Sequence, residues 1–186
     1  MKHRIILDLC GGTGAWSRPY AEAGYDVRVV DPIAGTGDVR LLRFDPDRVW
    51  VQGILCAPPC TMFCRMRMCR GEPTEAQFID ALSVVDACLR AVVLYRPRWW
   101  ALENPQGYLG RWLGAPRLKF DPCDYGDPWT KNTWIWGDFV PPLFGRVKPV
   151  GPLIHRKAGK RGVAKSDSEN AVTPPGFARA FFEANP

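Results

Sequence analysis

Ile5-Ile6-Leu7-Asp8-Leu9-Cys10-Gly11-Gly12-Thr13-Gly14 is the stretch that decides the fold. Ile5 to Leu9 reads as a buried strand. It runs straight into a turn with three glycines, where the missing Cβ permits positive φ and a close approach to a ligand. A helix-like stretch, Trp16 to Ala23, follows and is closed by Gly24. Val27-Arg28-Val29-Val30 is a second strand that ends at Asp31. The result is a β-loop-α-β unit, the usual start of a doubly wound α/β sheet.

The alternation continues outward. Pro32 to Asp47 is turn-rich, and Val49 to Leu55 is a third strand. Thr74 with Gln77 three positions on predicts a capping box. Phe78, Leu82, Val85, Leu89 and Val92 recur at helical spacing, and Pro97 stops that helix near Tyr95. Trp99 to Leu102 is the next strand, Tyr108 to Leu113 a short helix, and Thr133-Trp134-Ile135-Trp136 another strand. Pro141-Pro142 and Lys148 to Asn170 read as loop. Pro174-Pro175 opens a last helix, Gly176 to Ala184. The expected fold is a mostly parallel, Rossmann-like sheet in one domain spanning 1–186, with no internal repeat.

The bulk numbers agree with a folded domain. The chain has 186 residues, 46% hydrophobic and 24% charged, which suits one real core. No apolar run approaches the ~20 residues of a membrane span. Met1-Lys2-His3-Arg4 leads directly into the first strand, with no signal-peptide pattern, so a cytoplasmic protein is expected. The net charge of +6 permits a polyanionic partner without demonstrating one. Seven cysteines in such a setting argue against a disulfide framework. Cys56, Cys60, Cys64 and Cys69 lack a paired C-x2-C knuckle, so no metal is expected.

Two strand ends carry the candidate chemistry. In an open α/β sheet, reactive groups gather at the carboxyl ends of the strands. Pro58-Pro59-Cys60 closes the third strand, and Glu103-Asn104-Pro105 follows Trp99 to Leu102. The Pro-Pro bend projects Cys60, and not Cys56, Cys64 or Cys69, out of the sheet edge. Arg65, Arg67 and Arg70 follow, and positive charge favours thiolate. Partial burial of Glu103 would raise its pKa and let it donate a proton. A nucleophile and an acid sharing one substrate are what covalent chemistry on a pyrimidine ring needs. At the first turn, Gly-Gly-x-Gly is not the Gly-x-Gly-x-x-Gly of a pyrophosphate cradle. Asp8 ahead of the turn suits a ligand with an amino-acid group, such as S-adenosylmethionine. Asp31 is placed to accept from two ribose hydroxyls.

The order of Asp-Leu-Cys-Gly-Gly-Thr-Gly, Pro-Pro-Cys and Glu-Asn-Pro resembles the DNA cytosine-5 methyltransferases over nearly the whole chain. The resemblance implies that Cys60 is the nucleophile and that Glu103 contacts the N3 edge of cytosine. For S-adenosylmethionine, converted to S-adenosylhomocysteine, it implies a site built from Asp8, Cys10, Gly11, Gly12, Gly14, Trp16, Asp31, Pro32, Asp38, Val39, Pro58 and Thr173. Tyr125 to Thr133 resembles the family's basic motif, with Lys131 and Thr133 as its candidate catalytic residues. Thr173 to Phe182 resembles the last motif, which returns beside the first. The implied partner is DNA with a flipped-out cytosine, bound by a monomer.

This chain departs from the family pattern at four points. Pro105 stands where valine is usual, and Cys64 where serine is usual. Lys131 and Thr133 stand nearest the usual arginines. The 34 residues of 139–172 read as a short loop-like segment in place of a target-recognition domain. Three alternatives stay open: the same chemistry on RNA or a free cytidine nucleotide, transfer of another group from a modified cofactor, or a silent binding module. Arg156, Lys157, Lys160, Arg161 and Lys165 read either as phosphate contacts or as a solvated loop.

Overall fold

The computed structural model describes residues 4–43, 50–64, 71, 73–155, 163–165 and 171–186. The strands are β1 (Ile5–Leu9), β2 (Asp26–Val30), β3 (Val51–Cys56), β4 (Trp99–Pro105), β5 (Leu118–Phe120), β6 (Trp129–Thr130), β7 (Thr133–Asp138), β8 (Gly151–His155) and β9 (Val163–Lys165). The helices are α1 (Arg18–Glu22), α2 (Glu75–Tyr95), α3 (Gly110–Leu113) and α4 (Pro175–Ala184). Six strands form one sheet in the order β2-β1-β3-β4-β7-β5. Strands β2, β1, β3 and β4 run parallel, and β7 runs antiparallel to both β4 and β5. This is the expected mostly parallel, Rossmann-like sheet.

Successive side chains alternate across a strand, and here both faces are covered. Leu7, Leu9, Ile54, Cys56 and Leu102 pack on one side with Val85, Cys88 and Ala91 of α2. Ile6, Leu55, Ala101 and Ile135 pack on the other with Tyr20 of α1 and Phe177 and Phe181 of α4. Coverage of both faces is why every residue of β1 and β3 is buried and neither strand alternates between buried and exposed positions.

Helix α2 starts with both bonds of its capping box. The Gln77 N–H donates to the Thr74 hydroxyl and the Thr74 N–H to the Gln77 side chain. It ends at Tyr95, where Arg96 adopts φ 46° ahead of Pro97. Of the five residues whose spacing revealed this helix, only Val85 is fully buried. The small side chains Ala87, Cys88 and Ala91 share the buried face, and the larger ones flank it.

From β1 the chain goes to β2 on one side of the sheet and then returns to β3 on the other. The carboxyl ends of β1 and β3 therefore flank a topological switch point, where open α/β sheets bind ligands.

Some boundaries differ from the sequence reading. Helix α1 begins at Arg18, because Trp16 and Ser17 still belong to the glycine turn. Strand β3 extends to Cys56, while Val49 lies outside the described residues. The stretch from Lys148 to Asn170, read as loop, instead contributes β8 and β9, which join β6 in a second small sheet of order β6-β8-β9. Pairing of Gly151 and Pro152 with Trp129 and Thr130 supplies the backbone partners that the local sequence does not announce. Arg65, Arg67, Cys69, Arg70, Arg156, Lys157, Lys160 and Arg161 lie outside the described residues. Among those described, no helix is long and apolar enough to cross a membrane.

Candidate active site

The motifs singled out in the sequence converge on the carboxyl edge of the parallel strands. At β1 the backbone turns through positive φ at Cys10 (59°), Gly12 (53°) and Gly14 (66°). The Cys10 N–H donates to the Val30 carbonyl and the Gly14 N–H to the Gly11 carbonyl. Asp31, buried at the end of β2, fastens this turn. Its Oδ2 accepts from the Gly12 N–H at 2.9 Å and its Oδ1 from the Ile33 N–H at 2.7 Å. Each oxygen keeps a lone pair for a further donor.

Beneath the turn lies Asp8, fully buried. The Ser17 hydroxyl donates to its Oδ2, while its Oδ1 has no partner among the described residues. A Cβ at Gly11 would collide with the Asp8 carboxyl, so only glycine lets the backbone pass over it. Burial pushes the Asp8 pKa from 3.8 up to about 6; the Ser17 hydrogen bond opposes this and the Asp31 charge adds to it. An orphaned acidic oxygen under a glycine cradle fits a ligand with a cationic amino group, as S-adenosylmethionine has.

A stability prediction follows from that shift. Between pH 3.8 and about 6 the folded chain holds a proton that the unfolded chain has lost. Stability therefore falls as pH rises through this window, by on the order of 3 kcal/mol from this residue. Denaturant unfolding of the ligand-free chain and of Asp8→Asn should give a difference that grows over this range. A difference independent of pH would contradict the buried, unpaired carboxyl.

The other expected cofactor residues divide. Cys10 turns its thiol to Cys88 of α2, and that pairing, with burial, raises its pKa. Asp31 and Asp38 both act on Cys10 electrostatically, so Asp38 stands near the turn. Its carboxylate, however, caps the 3-10 turn Val39–Leu41 and pairs with Arg40 at 2.6 Å, which holds its pKa below the ordinary value. Pro32 is exposed, and Pro58 is buried at the edge. Thr173 is half-buried ahead of α4. Trp16 and Val39, expected to line the cofactor site, are each 2% exposed and lie in the core. Trp16 packs edge-on against Phe181, because the turn drives it under α4.

At the ends of β3 and β4, Cys60, Cys64, Glu103 and Lys131 come together. The Cys60 thiol pairs with Cys64, and this pairing, burial and the nearby Glu103 carboxylate push its pKa up, while Lys131 pulls it down. Together these groups disfavour the thiolate. The basic loop invoked for thiolate, Arg65 to Arg70, lies outside the described residues. Burial also pushes the Glu103 pKa up, again opposed by Lys131. Lys131 thus favours the ionised form of both groups.

The positions of these groups are set by backbone contacts. The Asn104 amide donates to the Pro58 carbonyl at 2.9 Å, tying the end of β4 to the Pro-Pro bend. The Cys64 N–H returns to the Cys60 carbonyl at 2.8 Å, and the Tyr108 N–H donates to the Phe63 carbonyl at 2.7 Å. A Cβ at Gly107 would strike that same carbonyl. The Gln106 N–H donates to Asn132, which brings Lys131 to the edge. Thr133, read as a catalytic candidate, is instead 2% exposed, with its hydroxyl on the Lys131 carbonyl. It positions that turn. Asn104 lay within a recognised motif, but its role and those of Ser17 and Gly107 had no signal in the sequence, since each depends on contacts between separate segments. Among the described residues, no group of three or more His, Cys, Asp or Glu side chains is placed to hold a metal ion.

No family model and no curated protein matches the sequence. Solved structures do match. One is a putative DNA modification methyltransferase encoded within a prophage of E. coli, with TM-score 0.52, 19% identity, 72% of this chain and 46% of that one. The likeness establishes the fold. An Entamoeba histolytica methyltransferase matches at TM-score 0.47 and 13% identity, over 80% of this chain and 58% of that one. Spodoptera frugiperda DNMT2 matches at 0.41 and 16%, over 86% and 57%. The chain spans about half the length of these structures.

Proposed function

We propose that the chain is an S-adenosylmethionine-dependent cytosine-5 methyltransferase acting on DNA. The observation that carries this reading is the meeting of Cys60, Glu103 and Lys131 at the ends of adjacent strands. The strand beside them ends in the glycine turn over the orphaned Asp8 oxygen. The prophage protein with the same fold, a putative DNA modification methyltransferase, supports DNA as the substrate class.

Asp8, the turn Gly11 to Gly14 and Asp31 would hold the cofactor, which supplies an electrophilic methyl group when bound. Cys60 gives up its proton to solvent and adds its sulfur to C6 of cytosine. The displaced electron pair makes C5 enamine-like, and Glu103 offsets the charge by holding a proton at N3. Once C5 carries the methyl group, a base removes the C5 proton, its C–H electron pair re-forms the C5–C6 double bond, the Cys60–C6 bond breaks, and N3 returns its proton to Glu103. In a duplex the cytosine must first leave the stack. Asn104 and the Cys60–Cys64 turn keep the sulfur in place during these steps.

The catalytic unit is 1–186, with 139–172 in place of a recognition domain. The described residues of 139–172 include the two short strands β8 and β9, and phosphate contacts carry little sequence information. A site of about one to three bases is therefore expected, with affinity falling steeply as salt rises. Bisulfite sequencing of a treated plasmid checks this; modification confined to one long palindrome would contradict it. The same small segment favours a second reading, C5 chemistry on RNA or a cytidine nucleotide. Incubation with labelled S-adenosylmethionine and DNA, RNA or nucleotide, followed by nucleoside mass spectrometry, decides between them. The expected product is 5-methylcytosine in DNA. A different group at C5 would point to a modified cofactor, and no transfer to any acceptor would leave a silent binding module.

A further inference from the structure

A cavity of about 550 Å³ opens at the opposite edge of the sheet from the candidate active site. Arg4, Arg98 and Arg117 line it, with Trp50, Trp99 and Asp138. The topology explains the grouping. Arg4 directly precedes β1, Trp50 precedes β3, Arg98 precedes β4 and Arg117 precedes β5. These four strands run in one direction, so the residues ahead of them collect on one edge, and antiparallel β7 delivers Asp138 to the same edge. The length of β3, roughly 20 Å at about 3.3 Å per residue, separates this edge from Cys60.

Three guanidinium groups line the cavity together with the Asp138 carboxylate and the chain-terminal Pro186. None of the three forms an ion pair among the described residues. Arg4 donates to the Tyr25 hydroxyl, and Arg117 lies over the Phe139 ring. Trp50, just ahead of the fully buried β3, is 50% exposed at the cavity wall. Asn185 holds one wall in place, accepting from the Val140 N–H at 2.7 Å and donating to its carbonyl at 2.9 Å. Arginine forks match phosphate oxygens bidentately, and an exposed indole face stacks on a base.

We propose that this amino-edge cavity binds a nucleotide unit, with its phosphate on Arg98, Arg117 and Arg4 and its base on Trp50. The site is independent of the methyl-transfer reading, because it uses none of the same residues. The cavity volume falls within the range of small-molecule sites.

Calorimetry with thymidine monophosphate, thymidine and inorganic phosphate tests the assignment with ligands that contain no cytosine. Thymidine monophosphate should bind at least tenfold more tightly than either fragment. The Arg98→Ala/Arg117→Ala double variant and Trp50→Ala should each weaken it at least tenfold, whereas Glu103→Gln should leave it unchanged. Melting curves of the variants check that they fold, and Trp50→Phe should retain most of the affinity. A thymidine hexanucleotide that binds more than tenfold tighter than the mononucleotide, with the same variant sensitivity, identifies a nucleic-acid strand as the source; equal affinity identifies a free nucleotide. Absence of binding, unchanged affinity in the variants, or phosphate alone binding as tightly as the nucleotide would overturn the proposal.

Discussion

Glu103→Gln is expected to lower turnover by on the order of 10²–10⁴-fold while leaving cofactor affinity unchanged. Glutamine keeps the shape of the side chain but cannot hold a proton at cytosine N3. A second effect should run the opposite way. The Glu103 carboxylate is one of the groups that push the Cys60 pKa up. Removing its negative charge favours thiolate, so iodoacetamide should alkylate Cys60 faster in the variant at mildly alkaline pH. Peptide mapping by mass spectrometry reads that rate at Cys60 separately from Cys64. Near-normal turnover would mean that another group supplies the proton. Unchanged alkylation would mean that the two side chains do not share a field.

Asp31→Ala should cost the most cofactor affinity of any single change at the first turn. The carboxylate accepts from the Gly12 and Ile33 backbone N–H groups, which fixes the turn before any ligand arrives. A hydrogen bond to a charged group contributes about 1.5–3 kcal/mol. Loss of one such contact corresponds to about 10–100-fold in affinity. Calorimetry with S-adenosylhomocysteine should register that drop, and Asp31→Asn should recover part of it. Unchanged binding in Asp31→Ala would separate this residue from the cofactor site.

The parts of this molecule that could be read from its sequence are those encoded locally. The apolar run of β1, the glycines after it, the Thr74/Gln77 cap and the stop at Pro97 each depend on neighbours in the chain. All of them appear in the structure, with α2 ending at Tyr95. The edge of the sheet on which Cys60 and Glu103 meet was legible too, because parallel strands send their carboxyl ends the same way.

What depends on distant partners was not legible. Strands β5 and β6 are three and two residues long, too short to show a period, and exist through pairing with β7 and β8. Trp16, Val39 and Thr133 sit beside motif residues but turn inward, since each fills space that another element creates. The field at Cys60 likewise depends on distant partners. The positive charge was counted along the chain, while the groups that act on the thiol come from Cys64, from Glu103 on β4 and from Lys131 ahead of β7.

The central claim is that Cys60 attacks C6 of cytosine, and DNA carrying 5-fluorocytosine tests it most directly, because fluorine at C5 blocks the final elimination. Incubated with S-adenosylmethionine, the protein should form a denaturation-resistant adduct with that DNA, mapping to the Cys60 peptide and absent in Cys60→Ser. An adduct that persists in Cys60→Ser, or that maps to Cys64, would contradict the account.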